Sequence, residues 1–354
     1  HDFLDFVQTR NRATLAAQAA WFGDLPEQMD IRDLYARAAE SGEPDVIRLC
    51  YEYLPLSFSR RHGDPSRPWN QFSINLKKPD GSPNLDYQGN WRDIFQNWEP
   101  RAWAFPAYAE GLIAKFLNAT TADGYNPYRV TRAGIEWEVP EPHNPWANIG
   151  YWNDHQIIYL QKLLEVAEQV QPGKLAQLWN QPIFSYANVP YRQKSYDQML
   201  ANWYDTIAFD WDVEKAVAAA VTHLGTDGIW MNTQRPEWND ANNALVGKGL
   251  SVVTAAYLRR FITFWQGLLA AYEGADLVVN TAVATLLGDV QTIFTHFQDR
   301  LENGFSDLDR RAVMDALGTV ATAYRATLYQ TGLPLAQQPI AAAELAGFLT
   351  LARR

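Results

Sequence analysis

The clearest periodic pattern in the chain is found in LSVVTAAYLRRFITFWQGLL, residues Leu250–Leu269. Its apolar residues recur at spacings of three and four, which places on one helical face Leu250, Val253, Tyr257, Phe261, Phe264 and Leu268. A second apolar stripe lies beside the first and consists of Leu258, Ile262, Trp265 and Leu269. The segment therefore predicts a long helix that is buried on more than one side.

Helical spacing also dominates the rest of the chain. Three further segments show it clearly, at residues 157–167, 286–301 and 313–328. Weaker candidates lie at residues 11–22, 30–40, 44–60, 91–117, 194–222 and 339–353. Strand-like alternation is too short to compete, and no repeat or change of composition marks a linker. We therefore predict a single all-α domain over residues 1–354, with long loops at Arg61–Asn90, Asn118–Asp154 and Gly225–Asn243.

Composition excludes several classes of partner. The chain has 354 residues, 47% of them apolar, and a formal net charge of −10 without a block of Lys or Arg, so we expect no nucleic-acid partner. Cys50 is the only cysteine and the histidines are isolated, so we expect no disulfide, no metal and no other cofactor. No apolar run reaches the roughly 18–20 residues of a membrane helix, so we expect no membrane contact.

The same features bear on the cellular compartment. A single cysteine fits a reducing compartment and no signal peptide is visible, so we expect a soluble, cytoplasmic protein. Because His1 stands where an initiator Met would be, a processed start and a domain cut from a longer chain both stay open.

Aromatic residues make up 13% of the chain, including 14 Trp and 17 Tyr. An aromatic ring offers apolar area, with a polar tip on Tyr or Trp, which suits the C–H patches and flanking hydroxyls of a sugar. Large helical cores use aromatic residues as well. Composition alone therefore leaves a saccharide cleft and an aromatic core as equal alternatives.

The segment Tyr87–Glu99, YQGNWRDIFQNWE, combines a glycine turn with a charged helix start. Arg92 and Asp93 fall in the first predicted turn, beside Trp91. Vicinal sugar hydroxyls can donate to a carboxylate and accept from a guanidinium, and charged partners make the stronger hydrogen bonds. The alternative is a helix-start aspartate that is favoured by the macrodipole, next to a solvated arginine.

The segment Arg235–Val246, RPEWNDANNALV, lies just before the long helix. Glu237 and Asp240 are three residues apart and flank Trp238. An apolar ring and a second acid are the surroundings that raise the pKa of a carboxyl, so that it can protonate a glycosidic oxygen. The alternative is helix capping, because Asp240 or Asn242 has the side chain of an N-cap residue.

Both segments resemble motifs of the inverting cellobiose and chitobiose phosphorylase family, in the six-hairpin glycoside hydrolase and phosphorylase superfamily. Glu237-Trp238-Asn239-Asp240 resembles the family's Asp-Trp-Asn-Asp stretch, in which the last Asp is the general acid and the Trp lines the sugar site. The resemblance implies that Asp240 is the acid and Glu237 a supporting charge. It also implies that Trp238 and Asn239 contact the sugar.

The first segment resembles the same family's Arg-Asp-x-x-Gln-Asp stretch, which grips the sugar at the cleaved bond. Arg92, Asp93 and Gln96 match that stretch, while Asn97 replaces its final Asp. The resemblance implies that these three matching residues bind substrate, with Trp91 beside them.

A fainter likeness to that family lies in Gly150–His155, which leads into a predicted helix. Trp152 and Asp154 resemble part of a Trp-Ser-Asp-Asp stretch and would add to the substrate site. An inverting hydrolase also needs a base to activate water, and candidates in the acidic loop are Glu136, Glu138, Glu141 and His143. The alternative for that loop is a solvated acidic surface. A phosphorylase uses inorganic phosphate and needs no such base.

The resemblance covers residues 85–270 and implies an (α/α)6 toroid, either complete, incomplete as a barrel, or cut from a longer chain. It implies cleavage of a glycosidic bond in an oligosaccharide with inversion, by hydrolysis or by phosphorolysis with inorganic phosphate. Two alternatives stay open. One is a sugar epimerase or lyase on a similar toroid, with His143, His155 or His223 moving protons, and the other is a sugar-binding protein without catalysis.

Overall fold

The computed structural model describes residues 1–59, 74–127, 129–136, 143, 156–181, 183–187, 191–202, 207–209, 252–274 and 276–354. Most of these residues are helical, and the strands among them are two to four residues long. The predicted all-α class is confirmed. The toroidal arrangement and the assignment of one domain stay predictions.

The N-terminal region consists of short helices, which are α1 (Asp2–Arg10), α2 (Arg12–Ala17), α3 (Ala19–Gly23), α4 (Ile31–Ser41) and α5 (Pro44–Glu52). The bounds of α4 follow from its caps. The Asp30 carboxylate accepts a hydrogen bond from Arg32 N (2.8 Å) at the start, and Gly42 takes a left-handed conformation (φ 66°) at the end. Pro44 then opens α5, where its missing N–H would have no helical partner.

Helices and a small sheet alternate in the middle of the chain. In order they are β1 (Phe58–Ser59), β2 (Tyr87–Asn90), α6 (Trp91–Ala104), a single 3₁₀ turn (Pro106–Tyr108), α7 (Ala109–Asn118), β3 (Arg129–Thr131), β4 (Ile135–Glu136), α8 (Gln156–Val170) and α9 (Lys174–Leu178). The sheet has the strand order β1-β2-β3-β4. Its β1–β2 pair is parallel and the other pairs are antiparallel, with Gly89 opposite Val130.

The C-terminal part is formed mainly by long helices. In order its elements are β5 (Tyr191–Gln193), α10 (Tyr196–Ala201), β6 (Ile207–Phe209), α11 (Val252–Ala270), β7 (Leu277–Asn280), α12 (Thr281–His296), α13 (Arg300–Asn303), α14 (Asp307–Thr331), β8 (Gln337–Ile340) and α15 (Ala342–Arg353). Capping boxes start α10 at Ser195 and α14 at Ser306. The pairs β5–β6 and β7–β8 are both antiparallel.

The helices pack as a continuous series around buried apolar residues that extend from Phe6 to Leu349. Helix α5 contacts α7, both α7 and α6 contact α8, and α8 contacts α11. The series continues from α11 to α15, from α15 to α12, and from α12 to α14. It then returns to the end of α7, because Tyr324 of α14 donates a hydrogen bond to the Ala122 carbonyl (2.9 Å) in the loop that follows α7.

Helix α11 confirms the predicted long helix, which begins at Val252. Its buried residues are Phe261, Ile262, Trp265, Leu268 and Leu269. Arg259, Thr263 and Gly267 are exposed on the opposite side. The two predicted apolar stripes are neighbours on the helix surface and together form one wide apolar face. Burial on more than one side is therefore wrong for the described part of this helix.

Two predicted helices are shorter in the structure, and proline is the reason in each case. The candidate at residues 44–60 ends with α5, ahead of Pro55. The candidate at residues 91–117 is divided at Phe105, which has φ −134° and ψ 73°. Pro106 excludes its predecessor from the helical region by steric contact, so α6 and α7 form a bent pair.

Within the described ranges, none of the helices combines the length and the apolar character that a membrane span requires.

Candidate functional site

Strand β2 runs directly into helix α6, the element that carries Arg92 and Asp93. The strand ends where Trp91 begins the helix, so no loop separates the two elements. A Cβ atom at Gly89 would lie 3.2 Å from the Ile94 side chain in the first turn of α6. Because Gly89 has no side chain, the strand can approach the helix this closely.

The two sides of α6 have opposite character. Its buried side is aromatic, and the ring centroids of Trp91 and of Phe116 on α7 are 4.8 Å apart. Gln96 is exposed on the other side. Helical spacing places positions 92 and 93 on the same side as Gln96. The side chains of Arg92 and Asp93 lie outside what the structure describes.

Trp91 was expected beside the sugar, but its side chain has no exposed surface. A fully buried ring cannot stack on a ligand. Any contribution of Trp91 to a sugar site is therefore indirect, by holding the first turn of α6 against Phe116 of α7.

The starts of α6 and α8 lie at the same end of the helical layer. Helix α7 runs back along α6, so that Phe116 near its end contacts Trp91 at the start of α6. At the opposite end of the layer, the Gln171 side chain donates to the Pro106 carbonyl (2.8 Å), which places the end of α8 beside the turn between α6 and α7. Since α8 packs along both helices, its first residue, Gln156, lies towards the end where Trp91 begins α6.

Most of the other predicted site residues lie outside the described part of the chain. They are Trp152, Asp154, Glu237, Trp238, Asn239 and Asp240, together with the base candidates Glu138 and Glu141. His155 and His223 lie outside it as well, while His143 is exposed. Glu136 is described, and its carboxylate forms an ion pair with Arg129 of the neighbouring strand. The convergence of Arg92 and Asp93 with Asp240 stays a prediction.

A buried charged centre lies beneath β2 and was not predicted from the sequence. The Glu52 carboxylate is 1% exposed and accepts hydrogen bonds from Arg10 Nη2 (2.9 Å), Arg48 Nη1 (3.1 Å) and Asn118 Nδ2 (2.9 Å). Burial alone would raise its pKa, but the charges of Arg10, Arg48 and Lys115 outweigh burial and hold the pKa of Glu52 well below its usual value. Glu52 therefore remains ionised and joins α1, α5 and α7.

Lys115 belongs to the same charged centre and is 2% exposed. Burial, and next the neighbouring Arg10, lower the pKa of Lys115 to about 7. Its Nζ atom lies 5.8 Å from the ring centroid of Phe6 and 5.6 Å from that of Tyr87, which are cation–π distances. A sequence signal existed, because Lys115 interrupts the apolar run Gly111–Leu117. A lysine inside such a run indicates a buried charge.

Arg132 joins the sheet to the first helix. Its guanidinium donates to Asp2 Oδ1 (3.0 Å) and Asp5 Oδ2 (2.7 Å) of α1, while its backbone N–H donates to the Tyr87 carbonyl of β2 (3.0 Å). Arg10 adds a hydrogen bond from α1 to the Ala133 carbonyl (3.2 Å). Strand β2 is therefore held from below by the N-terminal region.

A second carboxyl, Asp123, lies in the loop after α7, at the end of the layer where α6 begins. Its oxygens accept hydrogen bonds from Thr121 Oγ1 (2.7 Å) and from the Tyr329 hydroxyl of α14. Desolvation raises the pKa of Asp123 despite these hydrogen bonds. Asp123 could not be predicted as a buried carboxyl, because Thr121-Ala122-Asp123-Gly124 has the composition of an ordinary turn. In the structure the residue joins this loop to α14.

Among the residues that the structure describes, no group of three or more His, Cys, Asp or Glu side chains is arranged to hold a metal ion.

Residues 1–55 match a family described as glycoside hydrolase family 149 insertion domain 1. The match covers α1 to α5 and ends just after Glu52 of the charged centre. No curated protein matches the chain. The family match relates the chain to the glycoside hydrolases, through a segment whose last helix, α5, packs against α7.

Proposed function

We propose that this chain is a carbohydrate-active enzyme that cleaves a glycosidic bond in an oligosaccharide with inversion, by water or by inorganic phosphate. The observation that carries the proposal is the match of residues 1–55 to an insertion domain of a glycoside hydrolase family. Asp2 and Asp5 of that segment bind Arg132, whose N–H donates to strand β2, and β2 leads into Arg92 and Asp93. The family match and the Arg92–Asp93 motif therefore both support a carbohydrate substrate, and they concern neighbouring parts of the molecule.

In this proposal the start of α6 grips the sugar. Arg92, Asp93 and Gln96 supply a guanidinium, a carboxylate and an amide at three positions on one side of the helix. Such groups can pair with neighbouring hydroxyls of a pyranose ring, and the charged pairs make the stronger hydrogen bonds. The exposure of Gln96 supports this role, because that side of α6 is open at this position.

The segment before α8 is proposed to extend the same surface. Asp154 is two residues before Gln156, so chain connectivity alone keeps their Cα atoms within about 7 Å. Because Gln156 lies towards the end of the layer where α6 begins, Trp152 and Asp154 are proposed as further sugar contacts there. An (α/α)6 toroid would bring the remaining loops to that same end.

Asp240 is proposed as the general acid that protonates the leaving oxygen, with Glu237 as the charge that raises its pKa. Trp238 and Asn239 between them are proposed to contact the sugar. For a hydrolase, Glu138 or Glu141 is the proposed base, and it would lie about 6.5–9.5 Å from the acid to leave room for water. For a phosphorylase, inorganic phosphate is the nucleophile.

A panel of α- and β-linked disaccharides, each tested with and without inorganic phosphate, tests the proposal. Release of a monosaccharide together with a sugar phosphate indicates phosphorolysis, and release of monosaccharides alone indicates hydrolysis. The anomer formed first, read by NMR, tests inversion. The absence of any product across longer oligosaccharides as well would refute the proposal.

Asp240→Asn tests the acid directly. We expect turnover of an unactivated disaccharide to fall by about 10²–10⁴-fold, the usual contribution of general acid catalysis. A glycosyl fluoride should be affected much less, because fluoride leaves without needing a proton. Glu237→Gln is the matched control, with a smaller loss and a shifted pH–rate profile. If Glu237→Gln lost more turnover of the unactivated disaccharide than Asp240→Asn did, Glu237 would be the acid and Asp240 the supporting charge.

A further inference from the structure

Lys115 lies at the contact between the N-terminal helices and β2. Its ammonium group is between the Phe6 ring on α1 and the Tyr87 ring on β2, at 5.8 and 5.6 Å. Within the described residues, Nζ has no hydrogen-bond partner. A buried ammonium without such a partner is costly when it carries a charge. Burial is the largest cause of the lowered pKa of Lys115, so this cost exceeds the cation–π attraction of the two rings. The protonation state of Lys115 therefore bears on how the Phe6 and Tyr87 rings pack around it.

The charges around Lys115 do not neutralise it. The charged and titratable groups that face it are Arg10 of α1, Arg48 and Glu52 of α5, Tyr87 of β2, and Arg132 after β3. Of these groups, only Glu52 carries a negative charge. Its oxygens already accept hydrogen bonds from Arg10 and Arg48. Arg48 is also paired with Asp45, and Arg132 with Asp2 and Asp5, whereas Lys115 has no carboxylate of its own among the described residues. Proton uptake by Lys115 therefore adds a positive charge that no described carboxylate pairs with directly.

We propose that Lys115 is a proton-sensitive positioning residue. When Lys115 is charged, the packing between α1 and β2 is looser, and when Lys115 is neutral, the two elements pack tightly around it. Its lowered pKa, about 7, places this change in the neutral range. Because β2 runs directly into α6, the change reaches the turn that carries Arg92 and Asp93. That last step, a pH-dependent grip on sugar, rests on the proposed function.

Thermal unfolding of Lys115→Met as a function of pH tests the proton-sensitive part. In the unfolded chain a lysine keeps its proton up to about pH 10.4, whereas folded Lys115 releases it near 7. Between these values the unfolded state binds more protons, so the wild type gains stability as the pH rises. Met has no such group. From pH 6 to pH 9 the melting temperature of the wild type should rise about 3–4 °C more than that of the variant.

Lys162→Met is the matched control, because it removes a lysine of α8 that is 32% exposed and paired with Glu99 at 3.3 Å. Its melting temperature should follow the wild type across the same pH range. Equal pH dependence of Lys115→Met and the wild type would overturn the proposal. Failure of both Lys115→Met and Lys115→Leu to fold at pH 9 would also overturn it, because the charge would then be required.

Hydrogen exchange measured by mass spectrometry tests the positioning part without any substrate. At pH 6, peptides covering residues 1–10 and 87–98 should exchange faster in the wild type than in Lys115→Met. At pH 9 the two proteins should agree. Because each comparison is made at one pH, intrinsic exchange rates cancel. A difference spread evenly over α14 as well would show general destabilisation and overturn local positioning.

Kinetics then connect this coupling to the proposed site. The wild-type KM for an oligosaccharide should rise several-fold between pH 8 and pH 6 relative to that of Lys115→Met, while the ratio of kcat values should not change. A pH-independent KM ratio would overturn the link to sugar binding. If no oligosaccharide is cleaved at all, the proposed function fails, but the melting and exchange results still decide the role of Lys115.

Discussion

Replacing Glu52 by glutamine perturbs the charged centre at its buried carboxylate. Oε1 accepts from Arg48 and Asn118, whereas Oε2 accepts from Arg10. A glutamine can keep its carbonyl oxygen at the Oε1 position, but its NH₂ group then faces the Arg10 guanidinium. Two donors would oppose each other in a buried site. The variant therefore leaves Arg10 without its carboxylate partner at nearly unchanged volume.

The expected cost follows from this arrangement. Removing one partner of a buried ion pair costs about 3–5 kcal/mol. Because the Arg10 side chain keeps 23% exposure, we expect the lower end, about 3 kcal/mol. For a chain of 354 residues the unfolding entropy is about 0.7 kcal/mol/K, so the melting temperature should fall by about 4 °C. The pKa of Glu52 is lowered in the folded state, so this contribution is present above about pH 4.5 and is lost as the pH falls below it.

Differential scanning calorimetry at pH 7 and pH 3.5 measures both effects. Glu99→Gln is the control, because its pair with Lys162 is 27% and 32% exposed and should contribute about 1 kcal/mol or less. At pH 7, Glu52→Gln should lose clearly more stability than Glu99→Gln. At pH 3.5 the gap between wild type and Glu52→Gln should narrow. Equal losses for the two variants at pH 7 would refute the assignment of a buried charged centre.

Two further predictions concern packing and the N-terminal helix. Gly111→Ala should cost about 1–3 kcal/mol of unfolding free energy, because the new Cβ atom would lie 2.8 Å from the Tyr51 carbonyl. Gly267→Ala has open space at its Cβ and should raise the unfolding free energy by about 1 kcal/mol. Urea unfolding of both variants measures the contrast. Arg132→Met removes two ion pairs to α1 (Asp2–Arg10), so trypsin should release the N-terminal segment faster than from the wild type, and an unchanged cleavage rate would contradict that role.

Periodicity predicted the helices well where one side of the element is buried. The two predicted stripes of α11 form one apolar face, in which Phe261, Trp265 and Leu268 are buried. Boundaries were less predictable, because they depend on single steric events such as Pro106 dividing α6 from α7. The short strands could not be predicted from alternation, since β2 has four residues and its burial comes from tertiary contacts.

The candidate site was predicted from the chemistry of its motifs. The structure adds the buried residues that hold the start of α6, which the motifs do not include. Spacing placed Arg92 and Asp93 at a helix start, which the backbone of α6 confirms. It could not show that Trp91 faces the core, because a tryptophan beside charged residues has the same pattern in a cleft and in a core. The charged centre could not be predicted, because Glu52 and Lys115 meet Asn118 and Phe6 across long sequence separations.

The N-terminal match and the Arg92–Asp93 motif are separate in the sequence but adjacent in the structure. Residues 1–55 do not form an appendage, since Phe6 is 1% exposed and lies in the same buried cluster as Trp91. Their last helix supplies Glu52, and their first helix is hydrogen-bonded to Arg132, whose own N–H holds β2. The N-terminal segment is therefore linked to β2 through Arg132, and no loop separates β2 from the start of α6. The segment that relates the chain to glycoside hydrolases thus lies one residue contact away from the strand that leads into the proposed sugar-binding turn.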